Sequence, residues 1–337
     1  MALAQKFSGM VSVSNDVLRP NYEVSVGSKK FSRENNPGLL SVKVSRNVGL
    51  PTDYVELYLV GSNSYSFSKG DDVKIRLGYD DKMELAFSGF VENISLEINR
   101  VRITALGAGA RLLRLRFNRV YLSQTAGQIV KNIAQEAKVK VKIASDGITI
   151  PVYAVDDAMN GFEHVLKLAE RCNFDAYLTE DEQLVFKEWG NAKNNPLKFG
   201  QDIIHLEGFD YSPLYTSAKV FGESPSSVKG MDTYHWLTKK EVKGEAGSGT
   251  VLSIHDPAIR DQKTAETVAK ARMEKLKYTF GLVVETVGKP TIKLGDTVTL
   301  EDVPYSTLKG TLEVRTIEHH LSKDKGFVST VTCWTRS

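Results

Sequence analysis

One motif pair occurs twice in this chain, and it constrains the fold more than any other feature. Gly70-Asp71-Asp72-Val73-Lys74-Ile75 is matched by Gly295-Asp296-Thr297-Val298-Thr299-Leu300, and Gly89-Phe90-Val91-Glu92 by Gly310-Thr311-Leu312-Glu313, in the same order. Each copy continues as strand, turn, strand: Ile94 to Ala105 in the first, and Val314 to Cys333 with a turn at Ser322 to Gly326 in the second. Gly-Asp before a strand is a common turn signal, so one match carries little weight. Two ordered matches, each followed by a hairpin, point to duplication. In both copies Val, Ile and Leu alternate with polar residues, giving strands one dry and one wet face. Such sheets must have their edges closed or covered. The expectation is mainly β with α+β inserts: two similar antiparallel β-barrels in tandem. The fold-defining positions are Gly70, Asp71, Val73, Gly89, Val91, Gly295, Asp296, Val298, Gly310 and Leu312.

Between the copies the period changes. Ala126, Ile129, Val130, Ile133, Ala134 and Ala137 form one helical stripe behind Ser123 and Thr125 as N-cap candidates. Phe162, Val165, Leu166, Ala169 and Cys172 form a second stripe, and Asn173 suits a left-handed helix end. A hairpin follows, with Phe174, Ala176 and Leu178 on one strand, Leu184 and Phe186 on the other, and Glu180 to Glu182 at the turn. This gives a small two-helix α+β domain over residues 119–190, after a first barrel of the tube-attachment type over 1–118. Strands return around Ile203 to Leu206 and Ala218 to Phe221, so the second barrel is assigned to 191–222 and 279–337. A loop-rich excursion over 223–278 interrupts it, with Gly244 to Gly249 and a helix carrying Ala265, Val268, Ala269, Met273 and Leu276.

In order, these segments resemble the late control protein D family of contractile phage tails and the N-terminal hub half of VgrG from type VI secretion. The resemblance rests on several pieces: Gly70-Asp71-x-Val73; Phe87-x-Gly89-x-Val91-x-x-Ile94; and Tyr121-x-x-x-Thr125 leading into a helix with Ile129, Ile133 and Ala134. Phe162, Leu166 and Ala169 before the hairpin, and Gly288-Lys289-Pro290 running to Gly295-Asp296-x-Val298, continue it over nearly the whole chain. It implies a structural baseplate hub: a homotrimer whose six similar barrels adapt a hexameric tail tube protein to a trimeric central spike. Tape-measure and baseplate wedge proteins are further partners. The implied location is the virion tail baseplate, assembled in the host bacterial cytoplasm. The hub of a type VI or extracellular contractile injection system is the nearest alternative. The many family members with an acidic residue after the strand ending at Ala105 differ here, where Leu106-Gly107-Ala108 stands. No oligonucleotide-fold and β-helix segment follows the second barrel, so the spike is expected on a separate polypeptide.

Chemistry is harder to find. His319 and His320 are neighbours on a strand and face opposite sides. The other histidines, His164, His205, His235 and His255, stand apart, and no zinc spacing is present. Acidic pairs such as Asp71-Asp72, Asp80-Asp81, Asp156-Asp157 and Glu180-Asp181-Glu182 fall in polar turns, where solvent leaves their acidity ordinary. No nucleophile elbow or phosphate loop appears. No catalytic, metal or cofactor site is assigned, and an enzyme, including a peptidoglycan hydrolase, is disfavoured. Cys172 and Cys333 are the only cysteines and are expected to be buried.

With 44 Lys and Arg against 41 Asp and Glu, the net charge is only +3, short of a strongly basic domain, and nothing global points to nucleic acid. A nucleic-acid-binding barrel protein remains the different-class alternative, motivated by Arg100, Arg102, Arg111, Arg114, Arg116 and Arg119. These are candidate interface or channel-wall residues, without stable nucleic-acid binding. No apolar run approaches the roughly 18 residues of a membrane span, and Met1 to Met10 lacks a signal-peptide core. A soluble protein with no membrane partner is expected.

Overall fold

The computed structural model describes residues 18–62, 66–190, 192–210, 213–223, 241–304 and 310–336. The first seven strands are β1 (Pro20–Val26), β2 (Lys29–Ser32), β3 (Leu39–Asn47), β4 (Tyr54–Val60), β5 (Asp72–Tyr79), β6 (Lys82–Leu96) and β7 (Arg100–Leu106). They run in the spatial order β3-β4-β7-β6-β5-β1-β2, every pairing antiparallel. The alternation predicted from sequence places Val42, Val44, Val55, Leu57, Val73, Ile75, Val91, Ile103 and Ala105 in one shared core.

The chain then leaves the sheet through a short α1 (Gly109–Arg114) into an α+β module. This module comprises β8 (Arg119–Thr125), α2 (Ala126–Glu136), β9 (Lys140–Ala144), β10 (Thr149–Val155), α3 (Gly161–Cys172), β11 (Phe174–Leu178) and β12 (Gln183–Glu188). Thr125 caps α2 and Asn160 caps α3, each through a reciprocal box with the residue three positions on. Asn173 ends α3 at φ 56°, in the left-handed conformation that asparagine tolerates. The α2 stripe is buried as its spacing predicts. On α3, Leu168 is fully buried while Leu166 is only partly so, and His164 and Arg171 are buried too. The reason is that α3 has two covered faces, one on its own module and one against a later helix.

The second barrel contains β13 (Asn194–Lys198), β14 (Ile203–Asp210), β18 (Tyr278–Val287), β19 (Thr297–Glu301), β20 (Thr311–Ser322) and β21 (Gly326–Arg336). Between β14 and β18 lie β15 (Ser217–Gly222), β16 (Lys243–Gly247), β17 (Val251–Asp256) and α4 (Gln262–Leu276). Ala218 to Phe221, assigned from its alternation to the second barrel, does not join it. As β15 it is the centre of a separate three-stranded sheet, flanked by β16 and β17 and backed by α4. The excursion thus starts earlier than its composition suggests, and Gly244 to Gly247 is strand rather than loop.

The two barrels share their wiring. The order β3-β4-β7-β6-β5 in the first is repeated as β14-β18-β21-β20-β19 in the second. Both copies carry an extra residue at the same two places: Leu40 and Ile204 on the first strand, Glu92 and Arg315 on the hairpin strand. The turns also agree bond for bond. Gly70 N–H donates to the Val91 carbonyl and Val91 N–H to that of Asp71, while an Asp71 oxygen accepts from Ser68 N–H at 2.8 Å. Gly295, Val314, Asp296 and Lys293 repeat the set, with 3.0 Å for the side-chain bond. Gly70 and Gly295 have φ of 93° and 82°, which glycine adopts without cost.

This register corrects one detail of the sequence alignment. Val73 lies opposite Gly89 and Val298 opposite Leu312, so the counterpart of Gly89 is Leu312 and that of Val91 is Val314. Gly310 sits two positions earlier, before β20. Gly89 is a close-approach glycine, since a Cβ there would come within 2.3 Å of the Leu106 carbonyl oxygen. Outside the shared order the copies part: β1 joins β5 antiparallel, whereas β13 joins β19 parallel.

Candidate functional site at the junction of the barrels

The barrels meet where β20 pairs antiparallel with β3, from Thr316 opposite Asn47 to Ser322 opposite Ser41. Beside this seam the α+β module inserts its β11–β12 hairpin, and charged side chains from all three parts converge. Arg46 of β3, 3% exposed, donates from Nε to Asp53 Oδ2 at 2.8 Å, from Nη2 to the Leu178 carbonyl at 2.7 Å, and from Nη1 to Glu180. Lys293 of the second barrel reaches Glu180 at 4.0 Å and donates to the Leu85 carbonyl of the first barrel at 2.9 Å. Burial works against the Arg46 charge, yet Asp53 and Glu180 more than offset it and hold the guanidinium protonated. Burial likewise pushes the Glu180 carboxyl up, but Arg46 and Lys293 win and keep it below its usual range. The acidity of the Glu180 turn is therefore not ordinary, contrary to the sequence expectation: the turn is packed into the seam, not solvated.

A second cluster adjoins the first. Asp175 of β11 accepts from Arg315 Nη1 and Nη2 at 2.7 and 3.0 Å and from Lys275 of α4 at 2.9 Å. Burial opposes its charge, but Arg315 and Lys275 hold the carboxyl below its usual range. Tyr278 donates to Glu313 alongside. Near Lys293 and Arg46 of the first cluster, His319 is buried against Ser329, with Nδ1 and Oγ 2.8 Å apart. Burial, with Lys293 and Arg46 nearby, lowers its pKa to about 3, so the ring is neutral. A third link joins module to excursion, where Arg171 of α3 makes a forked pair with Asp256 of β17. Tyr153 lies beneath that guanidinium and bonds His164 Nδ1 at 3.0 Å.

These carboxylates are each held by a cation that is itself immobilised. Buried pairs of this kind add little net stability, because desolvation consumes the Coulomb gain, but breaking one partner is severe and the geometry is strongly specified. The arrangement is suited to fixing the angle between parts rather than to moving protons. The sequence reading did not single out Arg46, Asp53, Asp175, Arg315, Arg171 or Asp256. The strand register, not the sequence, shows that the bulge residues Glu92 and Arg315 are both charged and tie their barrel to what lies beside it, Glu92 through Arg114 of α1 and Arg315 through Asp175 of β11.

The six candidate arginines do not form one cluster. Arg100 and Arg102, on β7, pair with Glu97 and Glu56 and lie over Tyr58. Arg111 donates to the Lys138 carbonyl, Arg114 pairs with Glu92, and both lie over Phe90. Arg116 donates to the Asp157 carbonyl at 2.7 Å and Arg119 pairs with Glu136. Each of the six guanidiniums has an internal partner. Cys333 is buried and Cys172 partly so, and both are free thiols. Among the described residues no group of three or more His, Cys, Asp or Glu is placed to hold a metal ion, and no helix is long and apolar enough to cross a membrane.

A family model described as the Alg8 N-terminal domain matches residues 53–323, in place of the late control protein D family that the motifs resemble. No curated protein matches the chain. Among solved structures it is similar to the prophage MuSo2 43 kDa tail protein from Shewanella oneidensis, with TM-score 0.72 and 13% identity over 94% of this chain and 98% of that one. A tail protein from Neisseria meningitidis MC58 gives 0.71 and 10% over 94% and 97%. An Escherichia coli component of the type VI secretion system gives 0.63 and 12% over 93% and 77%. Its mainly β, double-barrel fold is thus the fold of these tail proteins.

Proposed function

We propose that this chain, which belongs to the Alg8 N-terminal domain family, is a structural, non-enzymatic hub of a contractile phage-type tail. The observation that carries the reading is the duplication: five strands, two bulges and a turn with three matching bonds built twice in one polypeptide. Three such chains present six near-equivalent barrels, which match a hexameric tail tube, while the module and excursion form a three-fold cup for a trimeric central spike. Tape-measure and wedge proteins are the further neighbours, and the virion tail baseplate is the location. The buried junction supports this reading, because a symmetry adaptor works only if its two barrels keep a fixed mutual angle. Likeness to tail proteins favours a phage tail, and likeness to the type VI component keeps an injection-system hub as a variant with the same architecture.

Electron microscopy of the purified chain, alone and with the tube protein, tests the proposal. Three-fold particles with six barrel-sized lobes at one end are expected. Two-fold dimers, or monomers that ignore the tube protein, would refute it.

A further inference from the structure

The α+β module and the excursion flank a cleft of about 400 Å³, to which Tyr153 of β10, Arg171 of α3 and Asp256 of β17 contribute buried side chains. Lys167, Glu170 and Arg171 stand at i, i+3 and i+4 on α3, so one helix face supplies the module's share of the charge. Arg260 and Arg272 bring cations from the excursion. Arg171 donates from Nε and Nη2 to Asp256, and Arg272 donates from Nη2 to Glu170. Among the described residues, Nη1 of Arg171 and Nε of Arg272 are buried and make no hydrogen bond. A buried guanidinium N–H without an acceptor is costly, and native structures rarely leave one so. Here two such donors, from helices of different units, line a single cleft. We propose that the cleft binds an organic monocarboxylate with an apolar body, its oxygens accepting from Arg171 and Arg272. The assignment does not depend on the hub reading.

The lining selects the ligand class. Guanidinium donors favour planar oxyanions, to which their bonds are charge-assisted. Four cations line the cleft, Lys167, Arg171, Arg260 and Arg272, against three carboxylates, Asp156, Glu170 and Asp256, which leaves a surplus of one positive charge. A singly charged ligand balances that surplus, whereas a phosphate dianion meets three acids and overshoots it. The rest of the wall is apolar, with Val152, Met159, Ile254 and Pro257, so the anion is expected to carry a hydrocarbon group that fills the space beside them. The volume lies at the lower end of the range of about 300–1,000 Å³ usual for small-ligand sites, which suits something the size of one or two amino-acid residues. Water can serve either donor singly, but it brings no charge and leaves the apolar wall uncovered. Two sources present the same chemistry: a free acid, or the C-terminal carboxylate of a peptide chain ending in an apolar residue.

Calorimetric titration of the full chain with N-acetyl-leucine, its carboxamide and inorganic phosphate tests the site. Saturable binding of the acid is expected, with the carboxamide weaker by about tenfold or more, the worth of a hydrogen bond to a charged group. Phosphate is expected to bind more weakly than the acid. Arg272→Gln, at an ion pair whose Glu170 side chain is 46% exposed, is expected to keep the parental circular dichroism and to weaken the acid about tenfold. Val152→Glu, which adds a carboxylate to the apolar wall, is expected to abolish binding and carries the same test should Arg272→Gln lose the fold. An acetylated tetrapeptide ending in leucine separates the sources: tighter binding than N-acetyl-leucine assigns a chain end, equal binding a free acid, and either upholds the site. No saturation by acid or peptide, equal affinity for acid and carboxamide, tighter binding of phosphate, or undiminished affinity in a folded variant overturns the proposal.

Discussion

Arg46 and Asp210 occupy the same place in the two barrels, yet Arg46 is buried under three acceptors while Asp210 is exposed on an open edge. The backbone wiring was duplicated, and the side chains then diverged according to what each barrel touches. In the first barrel, β3 meets β20 and the module, so its polar position became a buried cation. In the second, among the described residues, β14 pairs along its length with β18 alone, apart from a bridge between Ile203 and Phe199. The same divergence appears at Gly89 and Leu312: one position closes the strands to backbone contact, the other fills a core.

The largest test of this comparison is Arg46→Met, which strands Asp53 and Glu180 in the seam and is expected to cost about 3–5 kcal/mol in urea melts. Asp210→Ala is expected within about 0.5 kcal/mol of the parent. Next, Leu312→Ala leaves a cavity and is expected to cost about 2–5 kcal/mol, against about 1–3 for Gly89→Ala, whose new methyl meets the Leu106 carbonyl.

Acidification sharpens the contrast further. His319 has a folded pKa of about 3 against 6.5 unfolded. As pH falls below 6.5 the unfolded chain therefore takes a proton that the folded chain refuses, and stability declines down to about pH 3. Asp175 and Glu180, held below their usual range, add losses as pH falls through the carboxylate range. His319→Gln is expected to flatten the upper part of that decline by on the order of 2 kcal/mol or more. The smallest effect is at the turns: Asp71→Ala loses the bond from Ser68 N–H, for about 1 kcal/mol, and Asp296→Ala those from Lys293 N–H and Asn195 Nδ2, for about 1–2 kcal/mol, by thermal melting. Equal losses there would show that the added Asn195 bond contributes nothing and that the two turns are alike in energy as in backbone geometry.

Much of the fold was legible from local pattern. The alternation, the α2 stripe, the Thr125 cap and the Asn173 helix end are written in residues that act on their immediate neighbours. What was illegible depends on partners distant in sequence. Ala218 to Phe221 alternates identically whether it joins a barrel or starts a new sheet. Glu180 reads as solvated until the seam closes over it. Arg46 sits among Val42, Val44 and Ser45 as one more polar alternate, and only a comparison with Asp210, possible once the register is known, marks it out. The duplicated motif located the repeat, but the chemistry of a strand-side glycine could not distinguish Gly310 from Leu312 as the mate of Gly89.

β20 and β21 belong to both cores at once: Leu321 and Phe327 pack in the first, Ile317, Val331 and Cys333 in the second. A hairpin so shared acts as a common beam. Pull on either half of the molecule is transmitted along covalent backbone instead of across a slipping contact, and loss of one core withdraws a wall from the other. Calorimetry is therefore expected to register both as a single cooperative melt, a mechanical unity useful to any part that must stay rigid under sudden load.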